Sequence, residues 1–287
     1  MTCSKTSIET MAVTTALGGA EEIGAAEVLD GDRVLAAGRV RLLAWDTDFF
    51  GFPCARIEAL TATGENPARY DAVRRAVADL LGWCDDRGVK FVTVKVAGPE
   101  PILVQALESR GFYVTDCTVA LARDDHAPLP QSSDSLDEFS FHDRIEDHAG
   151  TALAFSGLIL DGRFHNDVRI SKKTADGLWQ RAVLNQTRSE AREVLLMTRG
   201  ADPVGLTTIK PVDPENRAGC LFFVGLRGSY QARGLGRVLL GETLYRVRGE
   251  YDRLEVETST YNQPALRLYQ GQGFKPSQVK LSLHCWR

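Results

Sequence analysis

No two cysteines of this chain are close enough in sequence to form a CxxC pair, and no cysteine has a histidine at metal-ligand spacing. That excludes the common structural zinc sites. The thiols stand one at a time at Cys3, Cys54, Cys84, Cys117, Cys220 and Cys285, a pattern expected of reduced cysteines in a cytoplasmic protein. The five histidines are equally scattered, so no metal is expected. Nor does any apolar run approach the roughly 20 residues of a membrane span. A basic face is also missing. With a net charge of -4 and a pI near 5.8, the chain is not expected to bind nucleic acid. The first 38 residues lack the charged start and compact apolar block of a signal peptide. Rich in small residues, they read as a poorly ordered leader.

What is present is a soluble, globular composition, 44% hydrophobic and 25% charged over 287 residues. From Val40 onward, strand-like and helix-like periods alternate. "RVRLLAW" leads into a turn at "DTDFFGFP", followed by strand "CARIEAL". Helix "YDAVRRAVADLLGWCDDRG" places Val73, Val77, Leu80 and Leu81 on one face, with Gly88 as its stop. Strand "KFVTVKV", helix "PILVQALESRG" and strand "YVTDCTVALAR" complete a first domain over residues 39–123. Residues 124–136, with prolines, serines and acids and no period, read as a linker. Residues 137–287 form a second domain. A short strand and two helices come first, then a hairpin turned at Gly200–Asp202, a strand, a glycine loop with its helix, and a final strand–helix–strand.

A repeat links the two domains. Setting residue 92 against 254 aligns "VTVKVAGPEPILVQALESRGF" with "LEVETSTYNQPALRLYQGQGF" without a gap, and the closing Gly-Phe coincides. Two copies of one supersecondary unit indicate a duplicated half. The copies differ where chemistry is expected: Gln231, Gly234 and Gly236 face Arg69, Ala72 and Arg74, while Asn262 and Tyr269 face Glu100 and Leu107. The first half therefore reads as scaffold and the second as the site.

The segment "SYQARGLGRVLLGETLY", residues 229–245, places a glycine turn directly before an amphipathic helix. The unpaired N–H groups and partial positive charge of such a helix end bind anions, phosphates above all. A P-loop would need GK[ST], which is absent, and a dinucleotide fingerprint would need a small residue where Leu239 stands. A purely structural turn is the remaining alternative. "QARGLG" matches the [QR]xxGx[GA] pyrophosphate loop of the GNAT superfamily of CoA-dependent N-acetyltransferases. The strand "CLFFVGL" before it and "YNQPALRLYQGQGF" after it resemble the same family.

The resemblance implies an α/β protein of the α+β type, two GNAT-like halves on a mixed, mostly antiparallel sheet flanked by helices. It implies acetyl-CoA or another acyl-CoA as donor. Gln231, Ala232, Arg233, Gly234, Leu235, Gly236 and Arg237 would bind the pyrophosphate, main chain at Val224 and Leu226 the pantetheine arm, and Asn262 either the cofactor or its own helix. Tyr269 falls on the family's general acid, facing the departing sulfur. Glu257, on the strand beside the site, is the candidate base, with Glu255 as its neighbour.

Two further segments, "LAWDTDFFGFPCARI" and "DGRFHNDVRISKKTADGLWQRAVLNQ", resemble the TDP-fucosamine acetyltransferases, in which a truncated GNAT-like half precedes a complete one. This implies a small-molecule amine as acceptor, in the first instance a nucleotide-linked amino sugar, with Arg163, Phe164 and His165 in the acceptor loop. Alternatives are a secondary-metabolite amine, acylated from acyl-CoA or from a carrier protein, and a non-catalytic acyl-CoA-binding module. Monomer and homodimer are both compatible with the sequence.

Overall fold

The computed structural model describes residues 6–14, 20–98, 100–124, 138–213 and 215–287. The chain runs through β1 (Thr6–Thr14), β2 (Ala20–Asp30), β3 (Arg33–Leu42), α1 (Ala44–Phe50), β4 (Cys54–Ala62), α2 (Ala68–Asp85), β5 (Phe91–Ala97), α3 (Pro101–Glu108) and β6 (Tyr113–Asp124). It continues with β7 (Ser140–His142), α4 (His148–Ala154), α5 (Lys172–Asn185), β8 (Glu193–Arg199), β9 (Asp202–Asp213), β10 (Ala218–Leu226), α6 (Leu235–Arg246), β11 (Arg253–Ser259), α7 (Gln263–Gly271) and β12 (Lys275–Trp286). Two compact units result. Met1–Cys117 with Val279–Arg287 make the first, Thr118–Gln278 the second. The expected linker at 124–136 lies outside the described residues apart from Asp124, which ends β6.

In the first unit β1, β2 and β3 form an antiparallel meander, with Thr6 opposite Val28 and Ile23 opposite Arg41. Over residues 6–14 and 20–38 this corrects the expectation of a poorly ordered leader, which spanned 1–38. The small residues serve close packing: a Cβ on Gly24 would lie 2.8 Å from the Trp83 ring, and one on Gly38 would lie 3.0 Å from Leu60 and Leu80. Larger side chains there would hold α2 off the sheet. Ala26, Val28 and Ala36 join Val73, Val77, Leu80 and Trp83 in one core cluster. The turn expected at "DTDFFGFP" is instead helix α1, closed by Gly51 at φ +77°.

β4 pairs in parallel with β5 over Cys54–Ile57. The other neighbour of β5 is the end of the chain, with Lys280 opposite Ala97 and Trp286 opposite Phe91. In the second unit β7, β8, β9 and β10 are antiparallel, and β10 pairs in parallel with β11. The outer partner of β11 is the end of β6, Thr118–Asp124. Each unit thus receives its last strand from the other copy of the repeat.

Successive residues of a strand point to opposite faces, and β8 shows how this builds the second unit. Leu196 packs with Ala152, Phe155 and Val183 from α4 and α5. Its neighbours Leu195 and Met197 pack with Val238 and Leu239 of α6. The result is a mixed sheet with helices on both faces.

The repeat read from sequence is kept to the residue: β5, α3 and β6 begin at 91, 101 and 113, and β11, α7 and β12 at 253, 263 and 275. Gly111 and Gly273 both have positive φ, +90° and +85°. The phenylalanine after each is buried, and its N–H is bonded to the carbonyl of Leu107 or Tyr269.

Candidate active site

The site is built where β10 and β11 part. Their parallel pairing runs only from Ala218/Arg253 to Leu221/Val256. Beyond it β10 stays with β9 as far as Leu226/Gly205, and β11 stays with β6 as far as Ser259/Thr118. A register shift between Leu221 and Phe223 inserts Phe222 as a bulge at the point of parting. Bulges bend a strand and stop its pairing on one side. One edge of Phe222–Leu226, including Val224 and Leu226, therefore has no ladder partner among the described residues. Such an edge offers main-chain donors and acceptors to an extended ligand.

The glycine loop lies beyond the end of that strand. Ala232 and Gly234 both have positive φ, +57° and +80°, which breaks the chain before α6. Gly234 is the N-cap and no side chain caps the helix, so the first-turn N–H groups of Leu235 and Gly236 are available to an anion. The hairpin turn holds the loop: the Arg227 guanidinium donates to the Asp202 carboxylate and, at 3.0 Å, to the Pro203 carbonyl, while Tyr230 Oη donates to Asp202 at 3.1 Å. Gln231 Nε2 donates to the Leu226 carbonyl at 2.9 Å, so its amide shapes the loop. The Arg233 guanidinium lies 6.0 Å from the Tyr230 ring centre. A Cβ on Gly205 would come within 2.9 Å of Leu226 and Leu239, which is why β9 has no side chain there. Sequence reasoning missed Asp202, Gly205 and Tyr230, whose roles depend on contacts across the sheet.

Tyr269 is 6% exposed and shares a cluster with Leu221 and Val256, the last residues paired before the strands part. Its ring meets Phe274 edge-on at 5.9 Å. Burial raises the phenol above its ordinary value, and Cys220 adds to the shift. Glu257 is the first residue of β11 past the last pair, and its carboxylate accepts from Thr118 Oγ1 at 2.9 Å. Asn262 is the N-cap of α7, its Oδ1 accepting the Ala265 N–H at 3.2 Å.

Helices α4 and α5 pack on β10 through Ala152, Phe155 and Val183 against Phe223, and Trp179 of α5 lies 6.2 Å from the Phe222 ring, with Lys210 Nζ of β9 5.0 Å from it. In the loop between these helices Phe164 is 4% exposed, with the Arg163 guanidinium over its ring at 4.2 Å. The ring anchors the loop, leaving Arg163 as the outer group. His165 Nε2 lies 3.0 Å from Asp176, which also accepts from Lys172 at 2.6 Å. Those bonds hold the Asp176 carboxyl below the usual range, Lys172 first and His165 second. His165 is thus tied to α5 rather than to Tyr269, Glu257 or the glycine loop.

The first unit shows the same framework with the site closed. Leu235 corresponds to Val73, yet α2 starts earlier, at Ala68, so helix occupies the place of the glycine loop. Arg69 and Glu100, which stand where the second unit has Gln231 and Asn262, form an ion pair at 2.5 Å. An internal carboxylate takes the cation that a bound anion would need.

Residues 165–274, under half of the chain, match the model of the Acetyltransferase (GNAT) family. That stretch of the second unit thus matches a GNAT acetyltransferase domain, a class of enzymes that transfer an acyl group from acyl-CoA to an amine. A GCN5-related N-acetyltransferase from Sphaerobacter thermophilus has a similar structure (TM-score 0.61, 14% identical, 91% of this chain and 80% of that one). So does a tandem GNAT protein from the clavulanic acid biosynthesis pathway (TM-score 0.57, 16%, 92% and 82%). A third is a GCN5-related glucosamine N-acetyltransferase region of a fungal multi-domain GH3 beta-N-acetylglucosaminidase (TM-score 0.56, 11%, 92% and 33%). At such identities the likeness is one of fold, two GNAT-like halves in tandem. No protein of curated function matches the chain.

Proposed function

We propose that this chain is a cytoplasmic N-acyltransferase that takes an acyl group from acetyl-CoA or a related acyl-CoA and passes it to the amine of a nucleotide-linked amino sugar, by direct attack in a ternary complex. The observation that carries the reading is the open edge of β10, with an uncapped helix end beyond it and Tyr269 at its apex. In this reading main chain at Val224 and Leu226 pairs with the pantetheine arm, while the N–H groups from Ala232 to Gly236 hold the pyrophosphate. Arg233 and Arg237 add charge there. Acyl-CoA supplies the activated carbonyl. A main-chain N–H on β10 stabilises the oxyanion. Glu257, through water, takes the proton the amine must lose, and Tyr269 gives its own to the departing sulfur.

The acceptor assignment rests on the segment between α4 and α5. Arg163 and Arg169 suit a diphosphate, and the Trp179–Phe222 pair offers an aromatic face to a ring. The glucosamine-acetylating neighbour has the same fold. The likeness to a clavulanic-acid-pathway protein favours a second reading, a secondary-metabolite amine as acceptor, with the acyl group delivered on CoA or on a carrier protein.

A thiol-release assay with acetyl-CoA against TDP- and UDP-amino sugars, run beside Tyr269→Phe, tests the proposal. Turnover with one sugar, lowered about 100-fold in the variant, is expected. Cofactor binding without release on any sugar would move the acceptor to the second reading. Binding without release on any amine at all would make the protein a non-catalytic acyl-CoA-binding module.

A further inference from the structure

A cavity opens in the second unit, away from the parting of β10 and β11. Its volume is about 250 Å³, and it lies between β8, β9 and the C-terminal half of α6. That size is below the range of drug-sized pockets, about 300–1,000 Å³, and suits a molecule of a few heavy atoms. Glycine loop and cavity sit at opposite ends of α6, which at 12 residues is about 18 Å long.

The floor carries Thr207 and Thr243, 1% and 3% exposed. Thr243 Oγ1 is satisfied by the Leu239 carbonyl at 2.8 Å. Thr207 Oγ1 is buried and has no hydrogen-bond partner. An orphaned buried hydroxyl is costly unless something fills its bond, and Thr207 lines the cavity. At the mouth stand Asp143, Glu193 and Arg246. Arg246 is committed to Glu242 at 2.7 Å, and Arg192 is shared between Glu193 at 3.5 Å and Glu250 at 3.3 Å. Four carboxylates against two guanidiniums leave the mouth negative.

We propose that this cavity is a binding site for a small hydroxylated ammonium ion, its cation at Asp143 and Glu193 and its hydroxyl on Thr207. The site is separate from the parting of β10 and β11 and from the loop between α4 and α5. It is nonetheless joined to the acyl-transfer site by structure, because Thr207 pairs in register with Val224 and the same helix runs from the cavity to the glycine loop.

Ethanolamine is the probe, with ethylene glycol and acetate as controls, followed by backbone amide NMR of the whole chain. Saturable shifts are expected at residues 193–195, 207–209 and 243–247 with ethanolamine only. Thr207→Val, which removes an unpaired hydroxyl and keeps the shape, should fold normally and weaken binding roughly tenfold. Glu193→Gln should weaken it as well. No shifts at these residues, or shifts that neither variant changes, would overturn the assignment. Shifts confined to the parting of β10 and β11 would mark ethanolamine as an acceptor analogue and also overturn it. The proposed acyl transfer is read by a different assay and different residues, so either proposal can fail alone.

Discussion

Tyr269, the proposed general acid, is held in its protonated form by its surroundings. Burial among Leu221, Val256 and Phe274 favours the neutral phenol, so it stays protonated wherever the enzyme works. The wild-type kcat profile should therefore show no falling limb from this group between pH 7 and 10. A fall near pH 9 that disappears in Tyr269→Phe would contradict the assignment. Cys54 and Cys84 follow the same physics without a catalytic role, burial pushing each thiol up to about 12. Asp46 adds to the shift at Cys54, and Asp85 at Cys84. An unfolded thiol ionises near 8.5. The folded chain thus binds more protons than the unfolded one above that pH. The stability this pair contributes is complete below about pH 8.5 and is lost as pH rises toward 12. Tm should decline over that window, and less steeply in Cys84→Ala. Equal slopes would show that other groups govern alkaline unfolding.

At the scale of elements, loop and helix compete for one stretch of chain. In the first unit Ala68–Ala72 continue α2 toward β4. In the second, Ala232 and Gly234 in the left-handed region end the loop and start α6 late, with the N–H groups of Leu235 and Gly236 available to an anion. Gly234→Ala puts a Cβ on a φ of +80°, at a cost of about 1 kcal/mol. We expect Tm to fall a few degrees and KM for acyl-CoA to rise about tenfold, with kcat changed much less. A large fall in kcat with KM unchanged would argue that the loop serves the chemical step instead.

For the molecule as a whole, the decisive feature is which strand closes which unit. Leu283 and Cys285, almost fully buried, belong to the core of the first unit although they end the chain. Removing residues 279–287 leaves β5 without its outer partner. Limited proteolysis of that truncated chain should cut first within residues 20–117, with 138–278 resisting longer. Simultaneous cleavage of both regions would show that the units unfold as one.

The sequence by itself determined the repeat, the amphipathic helices and the glycine loop. Each of these is written in local periods: the 3.6-residue spacing of Val73, Val77 and Leu80, the Gly-Phe closing each copy, and the glycines before α6. It misread the small residues of 20–38 as a leader, because Gly24 and Gly38 make sense only with Trp83 and Leu80 lying over them. Only the tertiary structure decided where β10 and β11 separate and that Asp202 clamps the loop. It alone tied His165 to Asp176 and exchanged the final strands. These depend on pairing and contact between residues far apart in the chain, which no local pattern records.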